Sequence, residues 1–374
     1  MNGEVNQTTS RKKVWIVGDG GLAAYLASEF QKNSVGADLA LNFGGLITFG
    51  ESEGGGGKKK IRLRDLGGAS AANLATLANA EFDCPMSSMR SLVEVGENRA
   101  VQGSGAASVL ADQCEYFFFL AYSLSYPGLH HTQFIQATER LLKQDVRVHL
   151  IACQNGLGVS ASLLGVNSSL HGQNSLSRTS GGLSLSRATA WLGVKVTERS
   201  ENSIDVQING ESHFEFAGSD VAATVFQSLM KRVAVHRYSN PEEVEWRKVF
   251  GNTVINVICS IEDARNGVVA EDLALQRLAR QLLLEAVSVA NHRAVHFEVD
   301  EVVDLVFQLA RSTGQNINST LNALRNGRTT ELRWIIGQWM SWAKEVRVAT
   351  PVADGLLVRL IERWPRLIGE KIAE

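Results

Sequence analysis

A short apolar run, Val14 to Val17, ends in Gly18-Asp19-Gly20-Gly21-Leu22-Ala23 and passes into an alanine-rich stretch that continues to Phe30. Strand, tight turn and helix in that order, so early in a chain, point to a doubly wound α/β sheet. The spacing has a steric meaning. Gly18 permits the turn, Gly20 lets the backbone approach a pyrophosphate, and Ala23 allows close packing of the helix, whose first amides offer donors and positive potential to an anion. Gly18, Asp19, Gly20, Gly21, Leu22 and Ala23 are therefore candidate cofactor-binding residues. In a chain with 34 glycines the pattern alone is weak, and its place at the first strand-to-helix turn is what gives it weight.

The pattern of the following residues extends this reading. A second strand fits Ala37 to Asn42, which puts Asn42 at its tip, where a carboxylate selects NAD through the ribose hydroxyls. No acid stands there, and this leans towards NADPH; Lys58, Lys59, Lys60, Arg62 and Arg64 offer positive charge nearby, although such a run is more often a solvated face. Gly50 to Gly57 reads as a glycine-rich loop. Tyr116 to Tyr122 is a continuous apolar run, as in a strand buried on both faces. A helix over His131 to Leu142 and a strand Val146 to Ala152 follow, ending in Cys153-Gln154-Asn155-Gly156-Leu157-Gly158, the kind of carboxyl-end loop that holds ligands. Val159 to Arg187, rich in Ser, Gly, Leu and Asn, reads as a long loop or insertion. Strands are expected near Ala188 to Val196 and Ser203 to Phe216, and a helix over Asp220 to Lys231.

After Asn240-Pro241 the texture turns to long amphipathic stretches, and Ser239-Asn240-Pro241-Glu242 has the form of a capped helix start. The expected organisation is a nucleotide-binding domain over residues 1–239 and a helical domain over 240–374. At 374 residues the chain has room for two cores, and 44% hydrophobic with 20% charged residues suits globular folding. A formal net charge of −2 gives no general attraction to nucleic acid or anionic membrane. The polar start lacks the apolar segment of a signal peptide, no window is long and apolar enough to span a bilayer, and Cys84, Cys114, Cys153 and Cys259 are scattered; together these suggest reduced thiols in a cytoplasmic protein. Neither His130-His131 nor the His292/His296 pair is accompanied by further metal-ligand spacing, so no metal is expected.

Trp246-Arg247-Lys248-Val249-Phe250-Gly251-Asn252-Thr253-Val254-Ile255-Asn256 carries the strongest chemical signal. At roughly 100° per residue, Lys248, Asn252 and Asn256 share one stripe of an otherwise apolar helix. Periodicity leaves two readings open: a surface lysine with asparagines bonded to backbone, or a lysine in a partly desolvated cleft, where burial lowers its pKa towards proton-transfer range and the amides fix a polar substrate.

With these residues in order, the sequence resembles the ketopantoate reductase (2-dehydropantoate 2-reductase) family. The resemblance is carried by the Gly18/Gly20/Ala23 turn, by Asn155-Gly156-Leu157-Gly158, and by Trp246-x-Lys248 with Asn252, Asn256 and Asn266-Gly267. Ser319-Thr320-Leu321, Gly327-Arg328-Thr329-Thr330-Glu331 and Thr350-Pro351 complete the set. It implies an α/β N-terminal Rossmann domain with a doubly wound, mostly parallel sheet, followed by an all-α C-terminal domain. It also implies a cytoplasmic enzyme of pantothenate biosynthesis, possessing no metal and compatible with a homodimer, which reduces a small 2-oxo acid with NADPH, NAD being less favoured. By the same resemblance Lys248 protonates the carbonyl oxygen and Glu331 holds Lys248 and substrate. Asn252, Asn256 and Ser319 contact substrate oxygens, and Asn155 sits near the nicotinamide. The chain departs from the family at Asn42, where a basic residue is common, and at Ser123, where a lysine is. The competing readings are an opine-like or 3-hydroxy acid dehydrogenase and a non-catalytic NADP-binding sensor.

Overall fold

The computed structural model describes residues 11–18, 21–34, 41–48, 58–65, 80–88, 114–121, 138, 141–142, 146–159, 182–200, 203–293, 295–370 and 372. Strand β1 (Arg11–Val17) leads through Gly18 into α1 (Gly21–Ser34). It lies parallel between β2 (Leu41–Thr48) and β5 (Cys114–Leu120). β4 (Ala80–Ser88) adds beside β2, β6 (Arg147–Ala152) beside β5, and β7 (Leu183–Arg199) beside β6, all parallel. The order β4-β2-β1-β5-β6-β7 is that of a doubly wound nucleotide-binding sheet, whose order reverses at β1. Three further strands run against it: β3 (Lys58–Asp65) pairs with β4 and also with β8 (Ser203–Ala217), which pairs with β7 and with β9 (Ala234–Tyr238).

Composition explains the burial. Residues Glu115 to Leu120 of β5 are all buried, as a strand covered on both faces requires. Small side chains bring α1 close to the sheet, with Ala23, Ala24 and Ala27 fully buried and Phe30 meeting Phe119 edge-on at 4.7 Å between centroids. Beside α1 packs α2 (Asp220–Leu229), capped by Ser219 and tied by the Asn33 side chain to the Leu229 carbonyl at 2.8 Å.

Strands end at Tyr238, and from Pro241 the chain is helical: α3 (Pro241–Glu262), a single turn Val268–Glu271, α4 (Leu273–His292), α5 (Val299–Ser312), α6 (Ser319–Arg325), α7 (Gln338–Val346) and α8 (Pro351–Arg363). Asn240 caps α3 with proline in its first turn, and Asp263 closes it in the left-handed conformation. α3 is the axis of the second core, its Trp246, Val249, Phe250, Val254 and Val257 wholly buried. Its own apolar surface faces α4, α5, α6 and α8 while another side meets β7 and β8, so one helix joins the two halves.

Three expectations change, and a fourth is described only in part. The second strand is Leu41–Thr48, displaced towards the C-terminus, because parallel pairing sets Leu46 and Ile47 against Ile16 and Val17. Both Ala37 to Asn42 and the apolar residues after it fit a strand in isolation; the pairing decides. Lys58 to Lys60 open strand β3 instead of extending a loop, and Gly50 to Gly57 lie outside the described residues. Leu183 to Arg187 already belong to β7, so the Ser-rich segment ends earlier than expected, its residues 160–181 lying outside the described part. Of the helix expected over His131 to Leu142, only Thr138, Leu141 and Leu142 are described, all helical.

Candidate active site

The carboxyl ends of β1, β5 and β6 are level, since Val17 pairs with Leu120 and Leu120 with Ala152. Gly18 and Cys153, the next residues, therefore emerge on one edge of the sheet, about 10 Å apart at two strand spacings. Gly18 adopts φ 137°, a conformation that side-chain-bearing residues rarely take, and α1 begins at Gly21. Ala23 is fully buried and Leu22 half-buried. These features fit a dinucleotide turn; Asp19 and Gly20 lie outside the described residues. Asn42 does not fit. Paired with Lys13 near the start of β1, it lies at the opposite end of the strand from Thr48, roughly 20 Å from the ligand edge. The displaced strand removes it from the ribose position.

At the end of β6 the segment Cys153 to Gly158 crosses to the helical domain. The Asn155 side chain donates to Glu331 Oε2 at 3.2 Å, and the Leu157 amide to the Trp334 carbonyl at 2.9 Å. Gly156 has φ 112°, and a Cβ there would stand 2.8 Å from Trp334 Cβ. Gly158 has φ 71° and faces the Trp342 ring. Both glycines thus answer to the approach of the second domain. Glu331 immediately precedes the turn where the chain widens into a π-helical stretch, Arg333–Gly337, before α7. Such stretches often accompany functional sites.

On α3, Lys248, Asn252 and Asn256 fall on one stripe as expected. Lys248 and Asn252 are half-buried and Asn256 is 4% exposed. The Lys248 ammonium lies over the Trp191 ring of β7, 4.8 Å from its centroid, and has no carboxylate partner among the described residues. Burial pushes its pKa down to about 8, with the Glu215 carboxylate acting in the other direction. Glu215 itself is engaged by Arg247 at 2.8 Å and by the Tyr238 hydroxyl at 3.1 Å. His213 stacks on Trp191, 5.5 Å between centroids, held neutral because burial and then the charges of its neighbours lower its pKa to about 4.

Ser319 is the exposed first residue of α6. Its neighbour Asn318 caps that helix and reaches the Ile255 carbonyl of α3 at 3.5 Å, which sets the start of α6 beside the Asn256 turn. The structure thus joins Asn155 to Glu331 directly and sets Ser319 near Asn256 through Asn318. Sequence reasoning missed Trp191, Asn318, Arg187 and Glu245. Glu245 had a signal: it stands three residues before Lys248, on the same stripe, between the apolar Val244 and Trp246. Arg187, hidden in the serine-rich stretch, had none.

Among the described residues no group of histidine, cysteine and acidic side chains is placed to hold a metal, and no helix is long and apolar enough to cross a membrane. Cys153 and Cys259 are buried free thiols, each pushed up to about 12 by burial.

The family model described as "Ketopantoate reductase PanE/ApbA C terminal" matches residues 240–363. The 2-dehydropantoate 2-reductase of Pyrococcus abyssi is 27% identical over 224 residues, covering 59% of this chain and 69% of that protein. That of Halobacterium salinarum is 31% identical over 127 residues, 33% of this chain and 42% of that protein, so the chain spans less than half of some relatives. Among solved structures, D-mandelate dehydrogenase with NADH and anilino(oxo)acetate superposes with a TM-score of 0.64 at 13% identity, covering 95% of this chain and 99% of that one. The 2-dehydropantoate 2-reductase of Methylococcus capsulatus gives 0.63 at 12% identity, covering 97% and 98%. At such identities the superpositions speak to the fold. The resemblance to the ketopantoate reductase family, and the Rossmann domain followed by a mostly helical one, hold.

Proposed function

We infer that this chain, similar to ketopantoate reductases in its C-terminal match and its fold, is a nicotinamide-dependent oxidoreductase that reduces 2-dehydropantoate or a related 2-oxo acid to the 2-hydroxy acid. The observation that carries the reading is the Lys248 ammonium: half-buried, without a carboxylate partner among the described residues, and aligned with Asn252 and the buried Asn256. A cation kept in a partly desolvated place costs stability, and it serves where negative charge develops on a carbonyl oxygen. Lys248 donates the proton to that oxygen. Asn252, Asn256 and Ser319 orient the acid, and Glu331, bonded to Asn155, closes the site from the helical side.

The residues Gly18 to Ala23 hold the cofactor, which supplies the hydride. Asn42, far from the ligand edge, gives NADPH no support. Lys58 to Lys60 favour it, because their strand starts at that edge, where Lys58 pairs with Pro85 near the carboxyl end of β4. A preference for NADH is the second reading, favoured by Glu51, which follows the true end of β2 by three residues and lies outside the described part. The domain division at 239/240 is proposed as the functional one too, with cofactor held before it and acid and substrate contacts, Asn155 apart, after it. A cytoplasmic homodimer remains part of this reading.

The test is a steady-state assay of cofactor oxidation with NADPH and NADH against 2-dehydropantoate and a panel of 2-oxo acids. Turnover of at least one acid is expected. Absence of turnover with all of them, in a folded protein that binds cofactor, would leave the sensor reading in its place.

A further inference from the structure

Arg187 is wholly buried in β7 and Glu245 is 2% exposed on α3; the guanidinium Nε stands 3.1 Å from Glu245 Oε1. Nη1 donates to the carbonyls of Ala152 at 2.7 Å and Ala188 at 3.3 Å, and Nη2 to those of Gln154 and, at 3.5 Å, Gly156. The other Glu245 oxygen accepts the Gly158 amide at 2.9 Å. Burial opposes the charge of Arg187, lowering its pKa from the ordinary value, while Glu245 supports it. The pair therefore holds the backbone at residues 152, 154, 156 and 158. The residues between, Asn155 and Leu157, bond the helical domain through Glu331 and Trp334.

A buried ion pair is a poor means of stabilising a fold, because apolar residues of similar volume serve as well or better. Nearly every bond of this one ends on the segment that carries Asn155. We propose that Arg187 and Glu245 are positioning residues: from the sheet and from α3 they clamp the segment 152–158 so that Asn155 meets Glu331 in one orientation at the junction of the domains. The proposal rests on the reading of Asn155 and Glu331 as site residues. Without the clamp the segment samples other geometries, and the competent fraction falls.

The experiment compares the wild-type chain with Arg187→Met/Glu245→Met, which leaves no orphaned charge, and with Arg187→Lys, which keeps the charge but cannot span the same carbonyls. In the double variant, amide hydrogen exchange across 153–158 should rise about tenfold or more while that across 254–262 is unchanged. Its kcat should fall about tenfold or more, with cofactor KM unchanged, and Arg187→Lys should lie between. Wild-type exchange across 153–158, or faster exchange with undiminished kcat, would overturn the proposal. Should the double variant not fold, Arg187→Lys decides by the same two readouts. Should the wild-type chain reduce no 2-oxo acid, the functional reading fails separately, and the exchange comparison still decides whether the clamp exists.

Discussion

Lys248 places an ammonium over the Trp191 ring in a half-buried position, with its pKa lowered to about 8 by burial. If it is the proton donor, Lys248→Ala should lower kcat by about 100-fold or more while cofactor affinity, measured by calorimetry, stays near wild type. Reduction needs the protonated amine, so kcat should be level below about pH 8 and decline above it, and oxidation of the hydroxy acid should show the reverse profile. A flat profile in both directions would remove the lysine from the proton transfer. The same shift bears on stability. The unfolded amine titrates at its ordinary 10.5 and the folded one near 8, so the fold binds fewer protons between those values, and this group's penalty is full below pH 8 and relieved as pH rises to 10.5. Lys248→Met should therefore raise Tm at neutral pH, and the gain should shrink as pH approaches 10.5. A Tm difference that does not vary with pH would show that charge burial is not its cause.

The segment from Cys153 to Gly158 is where element geometry makes demands on sequence. Gly156 combines φ 112° with a Cβ direction that runs into Trp334. Gly156→Ala should destabilise the protein by about 1–3 kcal/mol in denaturant unfolding. It should also lengthen the Asn155 to Glu331 contact and raise KM for the oxo acid. Loss below about 0.5 kcal/mol would mean that Trp334 yields easily. α3 was legible in the sequence from start to stripe, because Asn240-Pro241 and the apolar period are local signals. Its end was not, since Asp263 takes the left-handed conformation usually left to glycine. β2 was misplaced by several residues because two adjacent apolar stretches compete and pairing with β1 selects one.

The sheet edge that carries Gly18 and Cys153 reaches the helical domain where Asn155 bonds Glu331. Ser319→Ala should raise KM for the oxo acid while leaving that for the cofactor unchanged, as removal of a substrate contact requires; equal changes in both would move Ser319 out of the substrate site. Thermal-shift titration should show the stronger stabilisation with NADPH, reduced selectively when Lys58, Lys59 and Lys60 are replaced together. Equal loss for NADPH and NADH would return that run to a structural role in β3.

What the sequence determined by itself is whatever depends on neighbours along the chain: the strand-turn-helix at Gly18, the cap and polar stripe of α3, and the change from strands to helices at Asn240. Their physics is local, in φ angles, helical period and capping bonds. Partners distant in sequence come from the fold: the register of the strand carrying Asn42, the aromatic face under Lys248, and the Arg187–Glu245 pair behind Asn155. Burial and ion pairing depend on which surfaces meet, and no local pattern encodes that Arg187 of one domain and Glu245 of the next will be desolvated together.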